Sequence, residues 1–518
     1  MLAGLRNLID ENNIDAMLIN STNEFLVEYN ALSENARYHL TGFSGSTGDA
    51  LVTPAKVFLF VDGRYHIQAD CEVNHDITTV IKLQNGETFN SKLPEILAPG
   101  SKLGLNASKN SQYRVEQLGK IYRVKLLDDD LLPKPPESNC ENTETVPEHL
   151  CGKTKEEKLS SLRKYLSDDD AILITNLEDV SYYFNSRDFS TPYSSKITKR
   201  AIITKQNAEL YSRNEFGKYK AKLNSINGKI YVDKKTINAR DFNIIKDKAI
   251  CLNCPEIQYQ KSIKTDEEIN HYIDCFKRTD KAVRAIREYI ENNDNLSEYD
   301  ISVQLEKEFK KHGARSLSFK SIVAKDKNSA LAHYSKSSQE EIIKNGSLIL
   351  IDCGAYYDGG LATDITRVFV KGSPSELQKT VYTTVLKAFL HAFNTAITPN
   401  ISGFDIDAKV RTLFEENKID GFVFNHGLGH GIGISVHEYP PNLSCNEAAK
   451  IQLQENMCFT IEPGLYNKDY FGVRLENSCY LKNGKINSFV QMNYEKKLIN
   501  FAQLTEQEKD WLKEFEVI

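Results

Sequence analysis

The sequence predicts a protein of mixed α/β and α+β class in three blocks: two related α/β domains in tandem, then one large C-terminal domain. Three observations carry this. At ~150 residues per domain, 518 residues exceed a single core. A helix followed by an apolar strand after Asp opens the chain and recurs near residue 153. A strongly patterned helix then restarts at Thr265, and nothing after it has the composition of a linker.

In chain order, the first block spans residues 1–135. The amphipathic start "LAGLRNLIDENN" reads as a helix, and "DAMLIN" and "DALVTPAKVFLFV" read as strands around the turn cluster "GFSGSTG". Residues 136–152 are rich in Pro, Asn, Thr and Glu and are expected to be a linker. The second block, 153–260, repeats the theme: the helix "KTKEEKLSSLRKYL", then the strands "DAILIT", "KRAIIT", "AELYS" and "KIYV". The third, 261–518, opens with Thr265 and Glu268 in capping-box spacing, where each side chain can bond the other's backbone N–H. Ile269, Tyr272, Ile273 and Phe276 then mark one apolar face.

Composition is that of a globular protein, with 40% apolar and 26% charged residues. A net charge of −6 gives no basic excess for nucleic acid. No apolar run reaches the ~18 residues of a membrane span. The N-terminus lacks the cationic start and small-residue cleavage site of a signal peptide, so the expected location is cytoplasmic. Ten scattered cysteines fit reduced core thiols, and Cys251 and Cys254 have no second pair with which to build a zinc site.

Chemistry concentrates in the third block. In "SLILIDCGAYYDGGLATDITRVFV", Asp352 ends one β-rich run and Asp364 interrupts the next, about the turn signal Asp358-Gly359. Buried carboxylates are costly unless paired or metal-bound, and two on facing strands call for a cation. A two-residue loop would set Asp352 opposite Ile365 and turn Asp364 away. A three-residue loop, Tyr357-Asp358-Gly359, would set Asp352 opposite Asp364, and this loop or a nearby bulge is the expectation. Further on, Glu462 follows "CFTI" and Glu476 follows "VRL", with Arg474 two positions before it on the same face. An ion pair with Arg474 is the structural alternative for Glu476.

The stretch "FNHGLGHGIGISVHEYPPN" adds His426, His430 and His437 among four glycines. Each has a structural alternative, such as His437 pairing with Glu438. Four strand-embedded acids with imidazole suit hard divalent ions, Mn²⁺, Mg²⁺, Co²⁺ or Zn²⁺, and a pair of ions better than one. A structural zinc site would prefer cysteine.

"DCGAYYDGGLATDITRVF", "HGLGHGIGISVHE", "TIEPGLY" and "GVRLEN" together resemble the ligand segments of the aminopeptidase P, prolidase and creatinase family, the pita-bread enzymes. "SIVAKDKNSALAHYS" is similar to the family's upstream segment ending in a catalytic-site histidine, here His333. "YHLTGFSGSTGDALV", "VDGRYHIQA" and "EDVSYYFNSR" resemble the two creatinase-like N-terminal domains of its three-domain, cytosolic members. One departure stands out: Asp352 and Asp364 lie one residue further apart than the family pattern, which the longer hairpin loop would absorb.

The resemblance implies a pita-bread catalytic domain and a dinuclear site. Asp352 would bind one metal, Asp364 and Glu476 would bridge, and His430 and Glu462 would bind the other. The metal pair would be Mn²⁺, with Zn²⁺ or Co²⁺ as alternatives. Glu462 is the expected general base, His437 the stabiliser of the oxyanion, and His333 a group on the leaving side. His426 would line a proline pocket, its glycines letting backbone pass close to the peptide. Arg474 and Tyr466 would support the substrate side and orient Glu476 and the loop after Glu462. The implied activity is release of the first residue from peptides with proline second, by a homodimer that binds neither nucleic acid nor membrane. An Xaa-Pro dipeptidase and, further off, a non-catalytic peptide- or histone-binding member are the alternatives.

Overall fold

The computed structural model describes residues 1–84, 86–128, 142–252 and 255–515, grouped in two compact units. The first comprises 1–141, 154–186 and 197–255, and the second 142–153, 187–196 and 256–518. Of the expected linker, residues 136–141 lie outside the described residues, as does Cys254 of the CxxC pair. Asn142–Lys153 groups with the C-terminal unit, where Thr265 Oγ1 donates to the Cys151 carbonyl.

The first unit contains two sheets built alike. In one, Ala16–Asn20 pairs antiparallel with Asp49–Val52, which pairs antiparallel with Val57–Val61. On its other side it pairs in parallel with Lys102–Asn106, which continues in parallel to Arg123–Leu127. The other sheet repeats this pairing around Ala171–Ile174: antiparallel to Lys199–Thr204 and on to Ala208–Ser212, parallel to Ile230–Val232 and on to Ala249–Cys251. Among the described residues, only the first has an added parallel edge strand, Thr78–Lys82. The recurrence suspected from a helix and one strand therefore extends through the whole sheet. Each opening helix buries an apolar stripe, Leu5 and Ile9 in Leu2–Glu11, and Leu159 and Leu162 in Lys155–Arg163.

In the C-terminal unit, Thr265 and Glu268 form the capping box of the helix Asp266–Asn292, with Ile269, Tyr272 and Phe276 buried. An antiparallel sheet runs in the order Ile322–Lys325, Leu348–Cys353, Ile365–Val370, Glu476–Lys482, Cys458–Ile461, Gly429–Gly431, Glu438–Leu443. The helices Glu376–Phe393 and Gly403–Glu416 fill one apolar core with it, through Leu386, Phe389, Val410, Phe459 and Leu475. The chain order of the strands is scrambled across this sheet. That is what brings acids more than a hundred residues apart onto neighbouring strands.

Candidate metal centre

The hairpin that carries the two aspartates differs from expectation. Asp352 stands opposite Thr366, and Cys353 opposite Ile365. A Tyr356–Ala362 bridge closes a loop of residues 357–361. The expected three-residue loop with Asp352 opposite Asp364 is thus not formed, and the register is offset by two residues. The longer tip rests on Gly359 and Gly360, with φ of 85° and 67°, a conformation glycine adopts without penalty. Because strand side chains repeat every two residues, an offset of two keeps both carboxylates on one face.

The second pair of acids comes from strands beside this hairpin. Glu476 opens its strand directly opposite Thr366, whose hydroxyl donates to Glu476 Oε2 at 2.8 Å. Glu462 follows Cys458–Ile461, and its backbone N–H donates to the Leu428 carbonyl. His430 sits on the adjoining short strand, with its N–H donating to Thr460 Oγ1 at 3.1 Å. His430 Nδ1 lies 3.0 Å from its Gly431 carbonyl, which places the ring proton there. Nε2 then faces Asp364 Oδ2 and Glu462 Oε1, each 3.6 Å away. Asp364, His430 and Glu476 offer ligand atoms that all lie within 4.8 Å of one another.

Electrostatics provides the test of whether a metal fits here. Burial and the neighbouring charges of Glu476, Asp352 and Glu462 push the Asp364 carboxyl well above the usual range. Burial, then Asp352, pushes Glu476 up to about 8, against the pull of Arg474 and the Thr366 hydrogen bond. Asp352 Oδ1 and Asp364 Oδ1 are buried and accept no hydrogen bond among the described residues. Buried acceptors without donors, beside carboxyls raised above their usual range, are a donor set short of positive charge. Carboxylate oxygens with one imidazole match hard divalent ions.

Among the described residues, Arg474 is the guanidinium inside the cluster. It was expected to orient Glu476, but Nη2 donates to Asp352 Oδ2 at 2.5 Å, and Thr366 is what holds Glu476. The ion-pair alternative for Glu476 therefore fails. Arg474 Nη1 donates to the Tyr466 hydroxyl oxygen at 2.8 Å, and that hydroxyl is 2.8 Å from His426 Nε2. His426 Nδ1 faces its Gly427 carbonyl at 2.7 Å, so Nε2 accepts the Tyr466 proton. Burial pushes Tyr466 up to about 12, against Arg474, so it keeps that proton. A continuous chain, His426–Tyr466–Arg474–Asp352, thus ties one histidine to the acids.

The other histidines divide. His437 packs edge-on against His430 with ring centres 4.3 Å apart. Its neighbour Glu438 pairs with buried Lys264 and accepts from Ile434 N–H. His333 stands half-buried on a separate loop, anchored where Ser329 Oγ and the Gly472 backbone exchange hydrogen bonds two residues before Arg474. The glycines between the histidines have a different purpose from the one expected. A Cβ on Gly429 would meet the Thr460 carbonyl at 2.0 Å, and one on Gly433 would meet Glu438 Oε2 at 2.0 Å. They let strands and a buried acid approach the loop.

Comparison with known families agrees with this geometry. Residues 271–483 match metallopeptidase family M24, and residues 1–129 and 134–268 each match the creatinase/prolidase N-terminal domain. Residues 271–483 thus carry a family M24 domain, behind two creatinase/prolidase N-terminal domains. Among curated relatives, a probable Xaa-Pro aminopeptidase P of Coprinopsis cinerea is 27% identical, covering 99% of this chain and 93% of its own. Aminopeptidase P2 of Arabidopsis thaliana is 27% identical over 99% of this chain and 84% of its own. The crystal structure of an X-prolyl aminopeptidase from Caenorhabditis elegans, described as a cytosolic enzyme with a di-nuclear active site, shares the fold. Its TM-score is 0.88 at 22% identity, covering 99% of this chain and 94% of that one.

Several residues that shape this M24 centre were not singled out from sequence. Thr366 is the main one, and its spacing of two from Asp364 was the available signal. On the helix Gly403–Glu416, Asp407 and Arg411 stand one turn apart. Arg411 bonds Asp407 at 2.6 Å and the His426 carbonyl at 2.7 Å, while Asp407 accepts from Leu428 N–H. This pair pins both ends of the loop that leads into His430. Arg367, fully buried behind Glu476, donates to the Glu476 and Thr366 carbonyls and to Asn477. Lys264, just ahead of the capping box, had no signal at all.

Proposed function

We propose that this chain is a dinuclear-metal aminopeptidase that releases the first residue from peptides with proline in the second position. The observation that carries the reading is the buried, charge-deficient cluster around Asp364, His430 and Glu476. Specificity for proline rests on the relatives named Xaa-Pro aminopeptidase P, which match across 99% of the chain. We further read domains at 1–135, 153–260 and 261–518, a cytoplasmic homodimer, Mn²⁺ as the working metal with Zn²⁺ or Co²⁺ as alternatives, and peptides rather than nucleic acid or membrane as partners.

Asp352, Asp364, His430, Glu462 and Glu476 would hold the ions. When bound, a divalent pair supplies Lewis acidity and lowers the pKa of water toward neutrality. Glu462 takes the proton of the attacking water as general base. His437, edge-on to His430, presents a donor to the carbonyl oxygen as charge develops on it. His333 contacts the leaving side, where the proline nitrogen needs a proton to depart. His426 walls the proline site, its ring fixed by Tyr466 and Arg474, which extend that order to Asp352.

Incubation with Arg-Pro-Pro and Gly-Pro in the presence of Mn²⁺ tests the reading. Arginine released from the tripeptide is the expected result. Cleavage of Gly-Pro alone would make the chain an Xaa-Pro dipeptidase, and neither product with no bound metal would remove the hydrolase reading.

A further inference from the structure

Glu298 is a fully buried carboxylate that the metal centre does not use. It is the first residue of the helix Glu298–Lys311, capped by Ser297. No lysine or arginine pairs with it among the described residues. Instead four donors converge on it, all from one loop. Oε1 accepts from Lys325 N–H at 2.6 Å and Asn328 Nδ2 at 2.9 Å. Oε2 accepts from the Tyr334 hydroxyl at 2.7 Å and Ser338 N–H at 2.9 Å. A buried charge balanced by hydrogen bonds alone, at the positive end of a helix, is stable only while those donors stay in place. The reverse holds equally: the carboxylate fixes the loop.

That loop, residues 325–338, carries His333. Its start is tied to the sheet, where Asp326 Oδ1 accepts from Leu348 N–H at the head of the Asp352 strand. Its middle is tied at Ser329 to Gly472. Past Ala330 the described residues form no helix or strand up to Ser338, and Tyr334 and Ser338 both donate to Glu298. Tyr334 is the immediate neighbour of His333, so the Tyr334–Glu298 bond holds the backbone that carries the imidazole.

We propose that Glu298 is a positioning residue for His333, acting across the loop from outside the metal centre. The proposal rests on the peptidase reading above. Glutamine cannot replace it. The carboxamide presents N–H where two donors already point, so at least one backbone N–H, of Lys325 or Ser338, loses its acceptor.

The test is a cycle of variants on the full-length, Mn²⁺-loaded enzyme, read on Arg-Pro-Pro with metal content and amide exchange measured in parallel. Glu298→Gln is expected to lower kcat/KM about 10- to 100-fold, the scale of a small misplacement of a reacting group. In a His333→Ala background the same change is expected to cost less than about twofold, since the group it positions is gone. Metal content stays at the wild-type value, and exchange rises across residues 326–338. Tyr334→Phe removes the bond to Glu298 and the weaker one accepted from Asn328 Nδ2, without touching the helix. It is expected to lose about three- to tenfold, again only when His333 is present. Equal losses with and without His333, or unchanged exchange over 326–338 in Glu298→Gln, overturn the proposal. A wild-type enzyme that releases no arginine defeats the peptidase reading instead, and shows itself before any variant is compared.

Discussion

Two buried charge clusters, one in each unit, use the same residue types to opposite ends. In the N-terminal unit, Glu24 meets Arg200, Arg213 and Arg240 at 2.6–2.8 Å, and Arg200 also holds buried Asp241 at 2.5 Å. Burial alone would raise the Glu24 carboxyl, but the arginines outweigh it and hold it at about 2. At the metal centre, Asp352, Asp364, Glu462 and Glu476 face Arg474, with Arg367 behind and engaged by main-chain carbonyls. Here burial and like charge win, and Glu476 is driven up to about 8. The first cluster is neutralised by the chain itself and holds structure together. The second is left negative by the chain, and the balancing charge has to come from outside. What separates a structural ion cluster from a metal site is thus the surplus of acid over guanidinium, not the presence of buried acids.

The largest expected effect breaks the second cluster. Asp364→Asn should lower kcat/KM at least about a thousandfold and abolish stabilisation by Mn²⁺. The metal-free variant should nevertheless melt above the metal-free wild type, because a repelled buried carboxylate has gone. A lower melting temperature without metal would show that Asp364 is compensated within the chain. The converse substitution in the first cluster, Arg200→Met, should cost about 3–5 kcal/mol in denaturant unfolding, since it leaves buried Asp241 with only the longer pair to Arg240 and weakens the hold on Glu24. A loss below about 1 kcal/mol would dissolve the contrast.

The gentlest probe is pH. Glu476 rises from 4.5 to about 8 on folding, so between those values the metal-free fold keeps a proton that the unfolded chain has released. Its stability therefore falls as pH rises through that window, by about 1.4 kcal/mol per pH unit for each such group. Glu24 falls from 4.5 to about 2, so its contribution is present above 4.5 and lost as pH drops toward 2, with the opposite slope. Unfolding midpoints across pH, for the metal-free wild type and for Glu476→Gln and Glu24→Gln, separate the two limbs. Saturating Mn²⁺ should flatten the upper one. Stability that climbs from pH 5 to 8 without metal would contradict the charge surplus.

Most of the fold was legible because its signals are local. The capping box at Thr265 and the apolar stripe behind it depend on residues three or four apart, and the helix begins where those residues say. The polar residues that interrupt apolar strands named the acids of the centre for the same reason. The hairpin between Asp352 and Asp364 was less legible. Loop length depends on whether Gly359 and Gly360 both turn left-handed, and composition alone does not decide between a tight tip and a wide one.

By itself, then, the sequence determined the three-block order, the helix starts, the donor atoms available to a metal and the parity that keeps them on one face. The tertiary structure alone decided who compensates whom. Arg474 went to Asp352 although it sits two residues from Glu476, and Thr366 supplied the bond to Glu476 from a different strand. Lys264 took Glu438 from 174 positions away. Such pairings follow strand order and register across the sheet, which arise from packing a whole core, and no short stretch of chain encodes them.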